Sequence, residues 1–232
     1  MGDFRATAAA VVVAALGSVA HAGTVTGKLD LPAPPERQPP AHLGFVERTE
    51  NPLTPPRPLS LAPYVLVVLD GDAKPAAPPA VTWDLAGNSF ARPVIGALVN
   101  ADITIKNSSR VSRTMIAAED PKVVPPGPLN PTGQKSFKVG APVELTVADK
   151  DAPYLRGKLV VVAASAVANL DDANHFVFDD VAPGEYKLRA YFFNPAGASG
   201  WLDVNAPVTV SAKGKVEVNP KVTSLAPAAP GK

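Results

Sequence analysis

The chain has 232 residues, 22 basic against 21 acidic, and a net charge this close to zero gives no electrostatic case for nucleic acid or an anionic membrane. It has no cysteine, which excludes disulfides and thiolate metal sites, and its 27 prolines argue against a helical fold. Stability must therefore come from a hydrophobic core, and a chain of this length can bury one in one or two domains.

Residues 1–22 read as a secretory signal peptide. Arg5 supplies the positive start, residues 8–16 form a short apolar run, and Ala20-His21-Ala22 is a small-residue cleavage site that starts the mature chain at Gly23. That run is too short for a bilayer anchor, no later stretch is apolar for long enough to span one, and no cysteine follows the site to carry a lipid. The expectation is an exported protein, periplasmic or secreted, with no membrane span.

Residues 24–31 alternate, with Val25, Gly27 and Leu29 on one face of a strand. Residues 32–63 carry ten prolines and no sustained apolar period. They read as an extended, polyproline-like excursion, and composition leaves a disordered linker and an ordered strap equally open. Residues 64–69 are a continuous apolar run closed by Asp70-Gly71-Asp72, which fits a buried strand and a turn. Residues 103–106 and 143–147 alternate, and residues 159–162 form another continuous run. The Ala-rich residues 162–170 are the one stretch that could pass for a helix. Phe176-Val177-Phe178 leads through a turn into a strand at residues 186–191, and residues 208–210 and 216–218 flank Lys213-Gly214, a hairpin turn. Strands at roughly 8–12-residue spacing with turn chemistry between them predict an all-β sandwich.

Two segments carry a family likeness. The strand at residues 103–106 is followed by Asn107-x-Ser109-x-x-x-Arg113-Thr114-Met115, and farther on comes Asp149-Lys150-Asp151-Ala152-Pro153-Tyr154-Leu155-Arg156-Gly157. These resemble the N-x-D-x-x-x-H-N-V and C-x-x-H-P-x-M-x-G patterns of cupredoxin-like domains, and the likeness covers residues 80–163. In that family the His, Cys, His and Met of the patterns hold copper. Here the corresponding positions are Arg113, Asp149, Ala152 and Leu155. A blue-copper site needs a thiolate, two imidazoles and a weak axial thioether. An arginine is always protonated, Ala and Leu carry no donor, and one carboxylate makes no site. The mature chain otherwise offers only His42, His175 and Met115. No metal and no cofactor is therefore expected. An arginine at a semi-buried position needs a partner, so Arg113 and Asp149 are expected to pair across the vacated site, the alternative being that both face solvent.

The run from Asn174 through His175, Phe176, Phe178, Pro183, Gly184, Tyr186 and Leu188 is similar to the G-x-F-x-F-x-x-V-P-P-G-x-Y-x-L motif of carboxypeptidase-regulatory-like (transthyretin-like) sandwiches. The likeness places Phe176, Phe178, Tyr186 and Leu188 in a core on paired strands, with Asn174 at a position that favours positive φ. Residues 23–31 and 64–72 look like the opening strands of this module, residues 164–220 its remainder, and residues 221–232 a flexible tail. The composite resembles exported proteins of the methylamine-utilisation-like type, and implies a Greek-key β-sandwich in which a cupredoxin-like part joins a regulatory-like one.

His175 reads as a surface residue of an alternating strand, and the Asp171-Asp172-Asn174 group as a solvated loop, since it lacks the glycine and distal Glu of a calcium loop. Trp83, Trp201, Tyr154 and Tyr191 are core residues of a sandwich or the lining of a sugar or peptide groove. No Ser/His/Asp order, phosphate loop or carboxylate pair marks catalysis, so the chain is not expected to be an enzyme. The leading expectation is a non-catalytic binding or structural protein of the envelope, its partner an unidentified envelope protein or polysaccharide. The alternatives are a copper-handling or electron-transfer protein with an unrecognised site, and a carbohydrate- or peptide-binding accessory module.

Overall fold

The computed structural model describes residues 22–33, 60–195, 197–204 and 206–227. The leader, His42 and most of the proline-rich segment lie outside the described residues. The described chain is all-β. In chain order its strands are β1 (Gly23–Lys28), β2 (Val65–Gly71), β3 (Val81–Ala86), β4 (Ser89–Phe90), β5 (Val94–Leu98), β6 (Ile103–Asn107), β7 (Met115–Ala117) and β8 (Gln134–Phe137). They continue with β9 (Val143–Asp149), β10 (Arg156–Val162), β11 (Ala166–Asn169), β12 (His175–Val181), β13 (Gly184–Phe192), β14 (Gly200–Trp201), β15 (Ala206–Val210) and β16 (Lys215–Glu217).

These strands form four sheets stacked as two sandwiches. In the first sandwich an outer sheet ordered β12-β1-β16 faces an inner sheet ordered β11-β2-β13-β14, with β15 also on β13. Its core joins Val25, Phe176 and Phe178 of the outer sheet to Val67, Leu69, Leu188 and Val208 of the inner one. In the second sandwich an inner sheet ordered β5-β10-β9-β7 faces an outer sheet ordered β4-β3-β6-β8. Trp83, Ile103 and Ile105 meet Leu145, Val147 and Leu159 there. The two inner sheets then pack on each other through Leu66, Val68, Tyr191 and Phe193 against Val94, Leu98, Val160 and Val162.

This stacking explains the two continuous apolar runs. Side chains alternate faces along a strand, so a strand covered on both faces has no polar positions. In β2, Val65, Val67 and Leu69 enter the first core while Leu66 and Val68 enter the seam. In β10, Leu159 and Val161 enter the second core while Val160 and Val162 enter the seam. Strands of the outer sheets, such as β1 and β12, keep the clean alternation of half-exposed ladders. Gly96 of β5 fits the seam because a Cβ there would lie 2.3 Å from Val167 Cγ2 of β11.

Five sequence expectations are corrected. Residues 166–169, ambiguous with helix, are strand β11, because pairing with β2 from Ala166↔Leu69 to Asn169↔Leu66 outweighs the helical leaning of alanine. Lys213 (φ 59°) and Gly214 do make a tight turn, but it is not a hairpin: β15 pairs with β13 and β16 with β1, so the turn crosses from the inner to the outer sheet. Phe176 and Phe178 share a core with Tyr186 and Leu188, yet on facing strands rather than paired ones, since β12 pairs with β1 and β13 with β2 and β15. The positive φ of Asp180 (56°) and the bulge between Gly23 and Val25 help turn the chain from one sheet to the other. The tail expected from residue 221 is docked as far as Pro227. Lys221 bridges Asp30, Val222 is buried, and Leu225 packs on the first core. Asn174 adopts the positive φ expected of it (67°). Leu61 and Ala62, at the end of the proline-rich segment, are buried at a 3-10 turn rather than extended (Ala62–Tyr64).

Candidate functional site at one end of the second sandwich

At the end of β6 the chain reverses around Asn107, which is fully buried. Its amide nitrogen donates to the carbonyls of Val111 (2.8 Å) and Leu129 (2.9 Å). Its side-chain oxygen accepts from the Ser109 backbone N–H (3.0 Å) and hydroxyl (2.6 Å). This turn delivers Arg113, whose backbone bridges Leu129 in both directions at 3.0 and 2.7 Å. The Asn-x-Ser pair of the sequence motif is thus a loop builder, and its partner carbonyls could not be read from spacing.

Met115 of β7 lies opposite Asp149 at the end of β9, so the Arg113 loop and the loop after β9 are neighbours. Residues 149–155 close on themselves: Asp149 N–H donates to Leu155 O (3.0 Å) and Leu155 N–H to Ala152 O (2.9 Å). Lys150 N–H ties this loop to Thr114 O at 2.8 Å. Ala152 and Leu155 are buried in the same core as Met115 and Trp83. Gly157 follows because a Cβ there would sit 2.4 Å from Trp83 Cζ2 and 2.9 Å from Phe90 Cδ2, which stack with centroids 3.9 Å apart.

The geometry therefore brings all four residues named from the motif to one end of the sandwich. Arg113 Nη1 lies 3.1 Å from Asp149 Oδ2, with the side chains only 8% and 2% exposed. The ion pair expected between them is present. Arg113 Nη2 also donates to Asn88 Oδ1 at 2.7 Å, a partner in the β3–β4 turn that no sequence signal marked. Asp149 Oδ1 accepts from the N–H groups of Thr114 and Asp151, both at 3.2 Å. Arg113 Nε is buried without a partner. A guanidinium, a carboxylate already bonded on both oxygens and two apolar side chains do not fit a copper ion.

The other candidates separate from this site. His175 is on the outer face of the first sandwich, exposed, with Nδ1 3.3 Å from Asp171 Oδ2. Asp171 accepts from the N–H groups of His175 (2.7 Å) and Ala173 (2.9 Å), and chiefly the first holds its carboxyl below the usual range. Among the described residues no group of three or more His, Cys, Asp or Glu is placed to hold a metal ion. Trp83 and Tyr191 are buried in cores, whereas Tyr154 is 71% exposed and Trp201 half-buried, so the four aromatics do not line one groove.

A second polar cluster lies across β9 and β10. Glu119 accepts from Thr146 N–H (2.6 Å) and Oγ (2.7 Å), with Lys158 Nζ 3.5 Å away. Burial raises its pKa, but the Thr146 bonds and the lysine outweigh burial and leave it below the ordinary value. The Tyr191 hydroxyl donates to Glu144 Oε2 at 2.7 Å, and burial first, then this carboxylate, push it well above its ordinary pKa.

No family model matches the chain, and no curated protein matches it. Among solved structures the chain is similar to an oxidised variant of amicyanin, at 15% identity over 41% of this chain and 98% of that one, with a TM-score of 0.33. It is also similar to a purple cupredoxin from Nitrosopumilus maritimus, at 12% identity over 35% and 99% and a TM-score of 0.32. A copper-containing nitrite reductase from Thermus scotoductus matches at 20% identity over 36% and 22%, with a TM-score of 0.31.

Proposed function

We propose that this chain is an exported, non-catalytic β-sandwich protein of cupredoxin-like ancestry, in which a structural ion pair stands where the family holds copper. In this reading the first sandwich is a carboxypeptidase-regulatory-like module, and the protein works in the periplasm or outside the cell by binding an envelope protein or polysaccharide. The observation that carries the reading is the buried contact between Arg113 and Asp149 at 3.1 Å, which occupies two of the four motif positions with opposite charges. Ala152 and Leu155, buried at the other two, supply packing and no ligand atoms. The leader-like residues 1–22 support export, and among the described residues no helix is long and apolar enough to cross a membrane.

The test is metal analysis of the purified full chain after incubation with excess copper and desalting. The reading expects copper far below one equivalent and no thiolate-to-copper absorption. Stoichiometric retained copper overturns it.

A further inference from the structure

On the face that the first sandwich turns toward the second, β2 presents Leu66, Val68 and then Asp70, and β13 presents Tyr191, Arg189 and then Lys187. The apolar members lie in the seam, and the charged ones mark where it ends. There a cleft of about 390 Å³ opens between the two inner sheets, in the range of small-molecule sites. Pro142 and Val160 wall it on one side and Trp201 on the other, with Asp70, Glu144 and Arg189 as its polar groups.

Arg189 is held ready in this cleft. Its guanidinium lies 4.0 Å from the centre of the Trp201 ring, which itself meets Tyr191 edge-on with centroids 5.4 Å apart. Its one side-chain hydrogen bond among the described residues is a long one, to Asp70 Oδ2 at 3.4 Å, so most of its five donors are open to solvent or a ligand. A stacked guanidinium with a free fork is suited to a carboxylate. Lys187 stands opposite Asp70 in register, and Lys74 Nζ donates to the Ala163 carbonyl on the cleft wall, so two lysines add positive charge at this end of the seam. Across the cleft, Glu144 already has the Tyr191 hydroxyl at 2.7 Å and Lys158 at 4.0 Å. It has no need of an ammonium group but keeps lone pairs for hydroxyls.

We infer that this cleft binds a carboxylated sugar, a uronic acid unit, with its carboxylate on Arg189, hydroxyls on Glu144, and the apolar face of its ring against Pro142. Asp70 is the resting counter-ion that the ligand displaces. The inference rests on the reading of the chain as a binding protein. The experiment titrates the full chain with trigalacturonate, following heat and tryptophan fluorescence, with a neutral galactose trimer and glutamate as comparators. Expected are saturable binding of the uronate, binding of both comparators at least about tenfold weaker, and loss of about tenfold or more in Arg189→Gln, where tenfold is about 1.4 kcal/mol. Asp70→Asn should tighten binding, because it frees the guanidinium, and this variant decides the matter if Arg189→Gln does not fold. Absent uronate binding, equal binding of the neutral trimer, a preference for glutamate, or an unchanged Arg189→Gln each overturns the inference. Metal analysis of the same sample keeps the two readings apart: stoichiometric copper retires the proposed function, whereas a metal-free protein that ignores uronate retires only the cleft.

Discussion

Replacing Arg113 by methionine keeps an unbranched chain in the site and removes the charge. Asp149 is then left 2% exposed with two backbone N–H donors at 3.2 Å and no cation. Breaking a buried pair from one side costs about 3–5 kcal/mol, because the remaining charge is uncompensated. In a domain of this size that is roughly 6–20 °C in Tm. Asp149→Asn alone strands the guanidinium with Asn88 and is expected to cost about 2–4 kcal/mol by the same reasoning. The double variant leaves an amide whose oxygen still takes the Thr114 and Asp151 N–H groups, so it should be more stable than Arg113→Met alone. The assay is urea unfolding of the four proteins with linear extrapolation, read as a double-mutant cycle. A coupling of about 2 kcal/mol or more is expected. Additivity within about 0.5 kcal/mol, or single losses under about 1 kcal/mol, would refute the claim that the two residues act as one buried unit.

Gly157→Ala places a methyl 2.4 Å from Trp83, and overpacking of this kind costs about 1–3 kcal/mol, measurable by the same unfolding assay together with a changed near-ultraviolet signal from the Trp83–Phe90 stack. Gly96→Ala drives Cβ into Val167 and should loosen the seam, so calorimetry of this variant should show the two sandwiches melting in separate steps; a single unshifted transition would count against the close contact. Glu119 has a folded pKa below its ordinary value of 4.5, so its contribution is present above that pH and fades as pH falls through the folded value. Glu119→Ala should accordingly destabilise by about 1 kcal/mol at pH 7 and by less at pH 3, and an equal loss at both would show that the charge is irrelevant.

What the sequence could express was whatever depends on one strand at a time. Alternation in residues 24–31 and 143–147 marked ladders with one drier face, and the unbroken runs at 64–69 and 159–162 marked strands covered on both sides. It could not express which sheet a strand joins. The turn at Lys213-Gly214 has hairpin chemistry, but the pairing is settled by β1, almost 190 residues earlier, which takes β16 as a parallel neighbour. Likewise Ala166 to Asn169 carry too little side chain to declare a period, and only the edge of β2 makes them a strand. At the candidate site, Arg113 and Asp149 were legible because an arginine at a semi-buried position needs an anion. Asn88 was not, because a short polar side chain in a tight turn has the same appearance whether or not it serves a guanidinium.

The ion pair also does mechanically what a metal ion would do. An ion bound by residues from two loops cross-links them, and its binding energy becomes folding energy. Arg113 reaches the same end with a rigid fork: Nη1 holds the loop after β9 through Asp149, and Nη2 holds the β3–β4 turn through Asn88. The carboxylate extends the link to Thr114 and Asp151. A lysine, with one ammonium in place of a two-pronged plane, could not span Asn88 and Asp149 in this geometry. The orphaned Nε shows that the fit is incomplete, as expected where a large planar cation occupies a space bounded by loops that still keep their ladder contacts. The loops at this end of the sandwich are thus tied together by the chain's own side chains, which leaves the cleft at the end of the seam, where Arg189 keeps donors free for a ligand, as the place where a ligand has most to gain.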